Sequence, residues 1–263
     1  MSDRGINRVS RHTGAGQGSA MDTAGVLERE FHEVMSAFAR SQAMVVLAEA
    51  KVGLPHYKAV LREIYHYSKE DPQIQALATV YFRGEDRSTV KMFLKHAMSE
   101  IGHDRMALDD LEALGEDIST IPSTLPLPTT IGLTAFPFYQ IQYHNPIGYL
   151  GYLYFLEYMP TRAGNGYMAA LRAIGVPDKA MTFLQEHMTV DVAHNKLMEE
   201  YIRRLVRTDA DLAAVIYAIQ VTGYLYAQML AGAIASVECP RSASPNFVEL
   251  IRSSPGSVSS VAA

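Results

Sequence analysis

The chain of 263 residues contains a single cysteine, Cys239, and no tryptophan. One cysteine excludes an intrachain disulfide and any zinc site built from several thiolates, and it is compatible with a reducing compartment, so we expect a cytoplasmic protein. Basic residues are also few: 23 Lys and Arg face 28 Asp and Glu, which gives a net charge of −5. That balance argues against nucleic acid as the main partner, because phosphate binding favours a basic face.

The N-terminus lacks the apolar run of a signal peptide. We expect residues 1–20 and 253–263 to be disordered and a single domain to cover residues 21–252. The longest uncharged stretch, residues 212–237, has the length of a membrane span. However, Gln, Thr, Gly and Tyr residues dilute its apolar character. We therefore predict the buried central helix of a globular domain and no membrane span.

Apolar residues recur at helical spacing through most of the chain, and no alternating strand pattern is found. The pattern predicts helices over residues 23–51, 56–68, 72–82, 86–114, 138–159 (broken at Asn145-Pro146), 166–174, 178–207 and 209–236. Between them, residues 118–137 are rich in Ser, Thr and Pro, and we predict an irregular segment such as a lid or a channel wall. The sequence therefore predicts an all-α bundle of about seven helices.

Two stretches share one pattern of possible metal ligands. They are His96-x-x-x-Glu100-x-x-His103 and His187-x-x-x-Asp191-x-x-His194. Steps of three, four and seven residues return to one face of a helix, so each stretch directs two imidazoles and a carboxylate the same way. Imidazole with carboxylate suits iron, manganese or zinc. Two such faces that meet would build a metal site.

Each stretch also has a simpler interpretation. The second could be a solvated helix face, since charged residues lie nearby, but Met188, Val190 and Leu197 flank the stripe and favour ligation. In the first stretch, we predict Glu100 and His103 to be ligands. His96 could be a ligand, a residue that orients a ligand, or a surface residue.

Two further carboxylates complete the candidate set. Glu157 lies in an apolar helix, where a lone carboxylate is costly to bury and a bound cation would compensate; the alternative is an ion pair with Arg162. Glu63-x-x-His66 matches the Glu-x-x-His pairs of helical-bundle metal sites, although such a pair is also a frequent coincidence. Three histidines with three or four carboxylates exceed the four ligands of a structural zinc site and fit two irons, or iron and manganese.

The motifs resemble one known family. Glu100-Ile-Gly-His103-Asp104, the segment from Asn145 to Glu157, and His187-Met-Thr-Val-Asp191-Val-Ala-His194 look like the heme-oxygenase-like diiron oxidases and oxygenases. The resemblance covers about residues 30–240. It implies a heme-oxygenase-like helical bundle, two Fe(II) per chain and O2 as cosubstrate. The ligands it implies are Glu100, His103, Glu157, His187, Asp191 and His194, with Glu63 as a further carboxylate.

The resemblance also implies an activity and partners. Family members oxidise a small amine, amino acid or fatty-acid-derived substrate by N-oxygenation, oxidative C–C cleavage or desaturation, many of them in natural-product pathways. A homodimer and an external reductant are expected. Candidate substrate contacts are Tyr67, Tyr152, Arg162 and Lys95. The alternatives are a metal-free enzyme or binding protein of the same fold, a heme protein that uses one axial His, and a helical scaffold with incidental histidines.

Overall fold

The computed structural model describes residues 22–82 and 87–238, apart from the side chains of residues 190–192. The two segments predicted to be disordered, residues 1–20 and 253–263, lie outside this part of the chain. Asp86, where a helix was predicted to begin, and the single Cys239 lie outside it as well.

The described residues contain ten α-helices and no strand. They are α1 (Thr23–Ala39), α2 (Gln42–Ala48), α3 (Leu54–Ser68), α4 (Asp71–Tyr81), α5 (Arg87–Ser99), α6 (His103–Ala113), α7 (Pro128–Tyr143), α8 (Tyr149–Ala173), α9 (Thr182–Leu205) and α10 (Asp209–Glu238). Short 3-10 turns occupy Ile121–Ser123, Pro146–Gly148 and Asp178–Ala180. The predicted all-α class is confirmed.

Helices α8 and α10 form the centre of the bundle. Helix α8 packs against α9 and α10, and α10 also contacts α1, α3 and α7. The close approach of α8 to α10 depends on Gly151, because a Cβ added there would collide with the backbone oxygen of Val215. Helix α10, 30 residues long, has the length and hydropathy of a membrane span, but 56% of its most apolar window is buried in the bundle. A core helix has the same properties, as the sequence predicted for this segment.

Three of the predicted helices have wrong boundaries. The first helix ends at Ala39 and restarts at Gln42, whereas the predicted gap after Met159 is absent because α8 continues through Pro160 to Ala173. The helix predicted over residues 86–114 is divided between α5 and α6 by Gly102, whose φ of 101° is in the left-handed region that favours glycine.

The largest error concerns residues 118–137, which were predicted to be irregular. Helix α7 begins within this segment, at Pro128, and includes Pro137. Its first turn is capped from a distant part of the chain: the Glu63 carboxylate accepts hydrogen bonds from the Leu127 N–H, at 3.0 Å, and from the Thr130 hydroxyl. A tertiary contact of this kind has no signature in the local sequence.

Candidate metal centre

Four side chains from three helices converge in a first group, made of His96, Glu100, Glu157 and His194. One ligand atom of each lies within 4.8 Å of those of all the others. His96 Nε2 is 2.9 Å from Glu157 Oε1 and 3.3 Å from Glu100 Oε1. His194 Nδ1 is 3.1 Å from Glu157 Oε2 and 3.4 Å from Glu100 Oε1. The first group therefore surrounds one point with two imidazoles and two carboxylates.

A second group, made of Glu100, His103 and His187, adjoins the first. His103 Nδ1 lies 2.8 Å from Glu100 Oε2 and 3.2 Å from His187 Nε2. Glu100 thus belongs to both groups and presents Oε1 to one and Oε2 to the other. A carboxylate shared in this manner has the arrangement needed to bridge two cations.

The break between α5 and α6 brings Glu100 to both groups. Glu100 continues the last turn of α5, with its N–H bonded to the His96 carbonyl oxygen at 3.2 Å. The left-handed Gly102 then reverses the chain, and His103 begins α6. As a result His96 and His103 approach the same carboxylate from two different helices.

Helix α9 supplies the remaining imidazoles and is held in place by α6. The buried Asp110 on α6 accepts hydrogen bonds from the backbone N–H groups of Thr182, at 2.8 Å, and Phe183, at 3.1 Å. These donors have no intrahelical partner, so Asp110 caps the start of α9. One turn further on, His187 Nδ1 lies 2.6 Å from the Phe183 carbonyl oxygen, which directs His187 Nε2 towards Glu100 and His103.

Electrostatics of the site favours ionised carboxylates. Burial opposes the charge on Glu100, but His103 and His96 outweigh it and hold the pKa of Glu100 well below its usual range. Burial likewise opposes the charge on Glu157, and its neighbours His194 and His96 lower its pKa. Both side chains are therefore acceptors at neutral pH, as metal binding requires.

The surroundings shift the pKa values of two imidazoles, those of His96 and His187, in opposite directions. Burial lowers the pKa of His96, but the carboxylates of Glu100 and Glu157 raise it by more. The pKa of His187 is lowered, mainly by burial and then by the charge of His103. His187 is therefore neutral at pH 7, the form in which imidazole binds a metal.

The donor atoms fit cations better than they fit one another. Among the described residues, Glu100 Oε1 and His96 Nε2 are buried and lie 3.3 Å apart, but neither makes an aligned hydrogen bond. Buried polar atoms are normally satisfied, so close but misaligned approach indicates lone pairs directed at a common point. Nitrogen and carboxylate oxygen donors suit iron, manganese or zinc, so the residues present fit the predicted metal.

The other predicted ligands have different outcomes. The backbone of Asp191 lies in α9, one turn from both His187 and His194, but its side chain lies outside the described residues, so its ligation stays a prediction. Glu63 is buried but belongs to neither group, because its carboxylate caps α7. Its companion His66 lies with Nε2 3.0 Å from the Thr124 hydroxyl. The structure therefore does not bring the Glu63-x-x-His66 pair to the centre.

Of the predicted substrate contacts, some are buried and others lie on the surface. Tyr67 is buried and lines the cavity described below, whereas the buried Tyr152 donates its hydroxyl to Asp71 Oδ1 at 2.8 Å. Arg162 is exposed and forms an ion pair with Glu28 at 3.2 Å, so it does not pair with Glu157. Lys95 is exposed on α5.

A cavity of about 170 Å³ adjoins the centre. Its walls are mostly apolar and come from α2, α3, α8 and α10, and Glu100, His103, Glu157 and His187 face it from the metal groups. Sequence reasoning missed two further lining residues, Asp71 and Gln75 on α4. Asp71 precedes Pro72 at the start of a helix, and such an acid is ordinarily a helix-terminal residue; no local signal marks it as facing a cavity.

Comparison with known proteins agrees with this picture. A model of the iron-containing redox enzyme family matches residues 58–226. No curated protein sequence matches the chain. A domain of unknown function with a heme oxygenase-like fold from Shewanella denitrificans OS217 superposes with a TM-score of 0.77 at 24% identity, covering 85% of this chain and 97% of that one. The predicted heme-oxygenase-like fold is confirmed.

More distant structures share the fold alone. A TenA homologue from Pseudomonas syringae pv. tomato DC3000 gives a TM-score of 0.63 at 14% identity and covers 81% of this chain and 93% of that one. A TenA homologue from P. horikoshii OT3 gives 0.65 at 11% identity and covers 81% and 98%.

Proposed function

Because the chain belongs to the iron-containing redox enzyme family, we propose that it is a non-heme diiron oxidase or oxygenase that uses O2. The substrate is a small amine, amino acid or fatty-acid-derived molecule bound in the cavity beside the centre. The reaction class is N-oxygenation, oxidative C–C cleavage or desaturation.

The observation that carries the proposal is the position of Glu100 in both ligand groups. Its two oxygens face opposite sets of donors, and each set contains imidazoles from different helices. A single-metal site needs only one such set. The divided arrangement supports two cation sites, and Glu100 would be available as a ligand to both.

If iron is held at both groups, it would supply the electrons and open coordination positions for O2 activation. His96, Glu157 and His194 would hold one ion, and His103 and His187 the other, with Asp191 a further ligand of α9. Glu100 orients both sets of imidazoles. The cavity walls exclude water and place a substrate against Glu100, His103, Glu157 and His187.

Metal reconstitution tests the proposal directly. Metal-free protein supplied anaerobically with Fe(II) is expected to bind two irons per chain, and exposure to O2 is expected to produce an optical change that accelerates with the correct substrate. His187→Ala and His194→Ala are each expected to lose one iron. Iron binding by both variants at the parent level would reject the centre, and a metal-free enzyme, a binding protein or a scaffold would then account for the fold.

The remaining expectations belong to the same proposal. Reduction of O2 to two molecules of water takes four electrons. A substrate that is oxidised by two electrons supplies only half of them, so for such substrates the proposal includes an external reductant. A homodimer and a cytoplasmic location are proposed as well. Size-exclusion chromatography with light scattering tests the first.

A further inference from the structure

The cavity beside the metal centre has a polar feature that the centre does not use. Asp71 and Gln75 lie one turn apart on α4 and both line the cavity. Residues four apart occupy the same helix face, so the two side chains are neighbours on one wall. Most of the remaining wall is aliphatic or aromatic.

Both side chains can form more hydrogen bonds than they form with the described residues. Gln75 is fully buried, and neither its amide oxygen nor its amide nitrogen has a hydrogen-bond partner among the described residues. Asp71 accepts one hydrogen bond, from the Tyr152 hydroxyl to Oδ1 at 2.8 Å. Burial raises the pKa of Asp71 well above its usual range, and the nearby charges of Glu100 and Glu157 act in the same direction. The fully buried, unpartnered amide of Gln75 is costly unless a ligand completes its hydrogen bonds.

The charges around the cavity indicate what would complete it. Among the described residues that line it, the carboxylates are Asp71, Glu100 and Glu157, and there is no lysine or arginine. Glu100 and Glu157 belong to the metal groups, so Asp71 is the carboxylate left for another partner. A cation beside Asp71 would stabilise its ionised form, whereas an anionic head group would offer no such compensation.

We propose that Asp71 and Gln75 bind the head group of a primary aliphatic amine, whose hydrocarbon chain lies along the apolar wall. An ammonium group has three donors and no acceptor, which suits the Asp71 carboxylate and the Gln75 amide oxygen. Leu61, Ile64 and Leu153 offer the chain an apolar surface. This inference rests on the proposed function, because it selects the amine from the substrate classes considered there.

Ligands with the same chain length but different head groups isolate the contribution of the head group to the binding affinity. Titration calorimetry with the Fe(II) protein, kept free of O2, compares n-octylamine, octanoate and 1-octanol. A charge-assisted hydrogen bond in a buried site makes octylamine bind at least about tenfold more tightly than octanol. Octanoate is expected to bind more weakly than octylamine. Octanoate binding as tightly as octylamine would overturn the proposal, because its carboxylate would then find a partner such as the iron.

Variants on α4 connect the preference to the two residues. Asp71→Asn is expected to remove the preference for octylamine over octanol while still binding two irons. Gln75→Leu is expected to weaken octylamine several-fold and leave octanol unchanged. Glu70→Gln is the matched control, since Glu70 adjoins Asp71 but does not line the cavity. An amine preference that survives Asp71→Asn contradicts the proposal, as does loss of iron in that variant, which would make Asp71 a ligand.

The two proposals fail in different ways. Binding is measured without O2, so an Asp71-dependent amine preference in a protein that takes up no iron refutes only the diiron function. Two irons with rapid O2 consumption, but no amine preference, refute only the head-group assignment.

Discussion

Glu100 should affect both iron sites at once, because its two oxygens face different ligand groups. The perturbation is Glu100→Gln, which keeps the shape of the side chain and removes its charge. Even partners that only orient a metal ligand change metal affinity by roughly 10–100-fold when substituted, and a direct ligand should do at least as much. We therefore expect both dissociation constants to rise by at least about tenfold.

The thermal stability of the protein reports this change. At a free Fe(II) concentration about 100 times the dissociation constant, each occupied site stabilises the native state by about 2.7 kcal/mol. Tenfold weaker binding lowers that value to about 1.4 kcal/mol, and hundredfold weaker binding lowers it to about 0.4 kcal/mol. For a chain of this size, about 1 kcal/mol corresponds to roughly 2–4 °C in Tm. The iron-dependent rise in Tm, roughly 10–20 °C for two sites, should fall to half or less in the variant.

His187→Gln separates a shared ligand from an ordinary one. His187 belongs to the second group alone, so this variant should keep one tight iron and about half of the iron-dependent rise in Tm. Anaerobic Fe(II) titrations, followed by scanning calorimetry and iron analysis after desalting, distinguish the two variants. If Glu100→Gln retains one iron with parent affinity, Glu100 serves a single site and the bridging argument fails.

Three further predictions concern residues around the centre. Glu63→Ala should cost about 1.5–3 kcal/mol of stability in chemical denaturation, by uncapping α7, and leave two irons bound; loss of iron would restore Glu63 as a ligand. Gly151→Ala should destabilise by about 1–3 kcal/mol through its contact with Val215, whereas Gly166→Ala, where a Cβ meets open space, should be neutral or stabilise by about 0.5–1 kcal/mol. The pKa of His96 is raised in the folded state. The stability that protonated His96 gives the metal-free protein is therefore complete below about pH 6.5 and is lost as pH rises through the folded pKa. The difference in unfolding free energy between the parent and His96→Gln, measured with chelator, should therefore shrink as the pH rises above about 6.5.

Helical periodicity predicted the all-α class because amphipathic spacing is a local property. It also identified most of the residues that converge, since steps of three, four and seven fix which side chains share a face. Its errors occur where a tertiary contact decides. Helix α7 begins in a Ser/Thr/Pro-rich segment because Glu63, about 65 residues away, satisfies its first turn. Helix α9 begins where Asp110 of α6 caps it.

The two Glu-x-x-His pairs of this chain show most clearly what spacing leaves open. Glu63 and His66 have the same separation as Glu100 and His103, yet only the second pair lies with other potential ligands. The difference lies in what each carboxylate meets: the Glu63 carboxylate on α3 contacts the N-terminus of α7, while Glu100 lies beside Glu157 of α8 and His194 of α9. Gly102 adds to this difference. In a continuous helix, His103 would be fixed on the same helix face as Glu100. The left-handed turn at Gly102 instead places His103 on a separate helix, α6, which has a different axis. Spacing therefore specifies which side chains point together, and the packing of helices decides whether they meet a metal or a helix end.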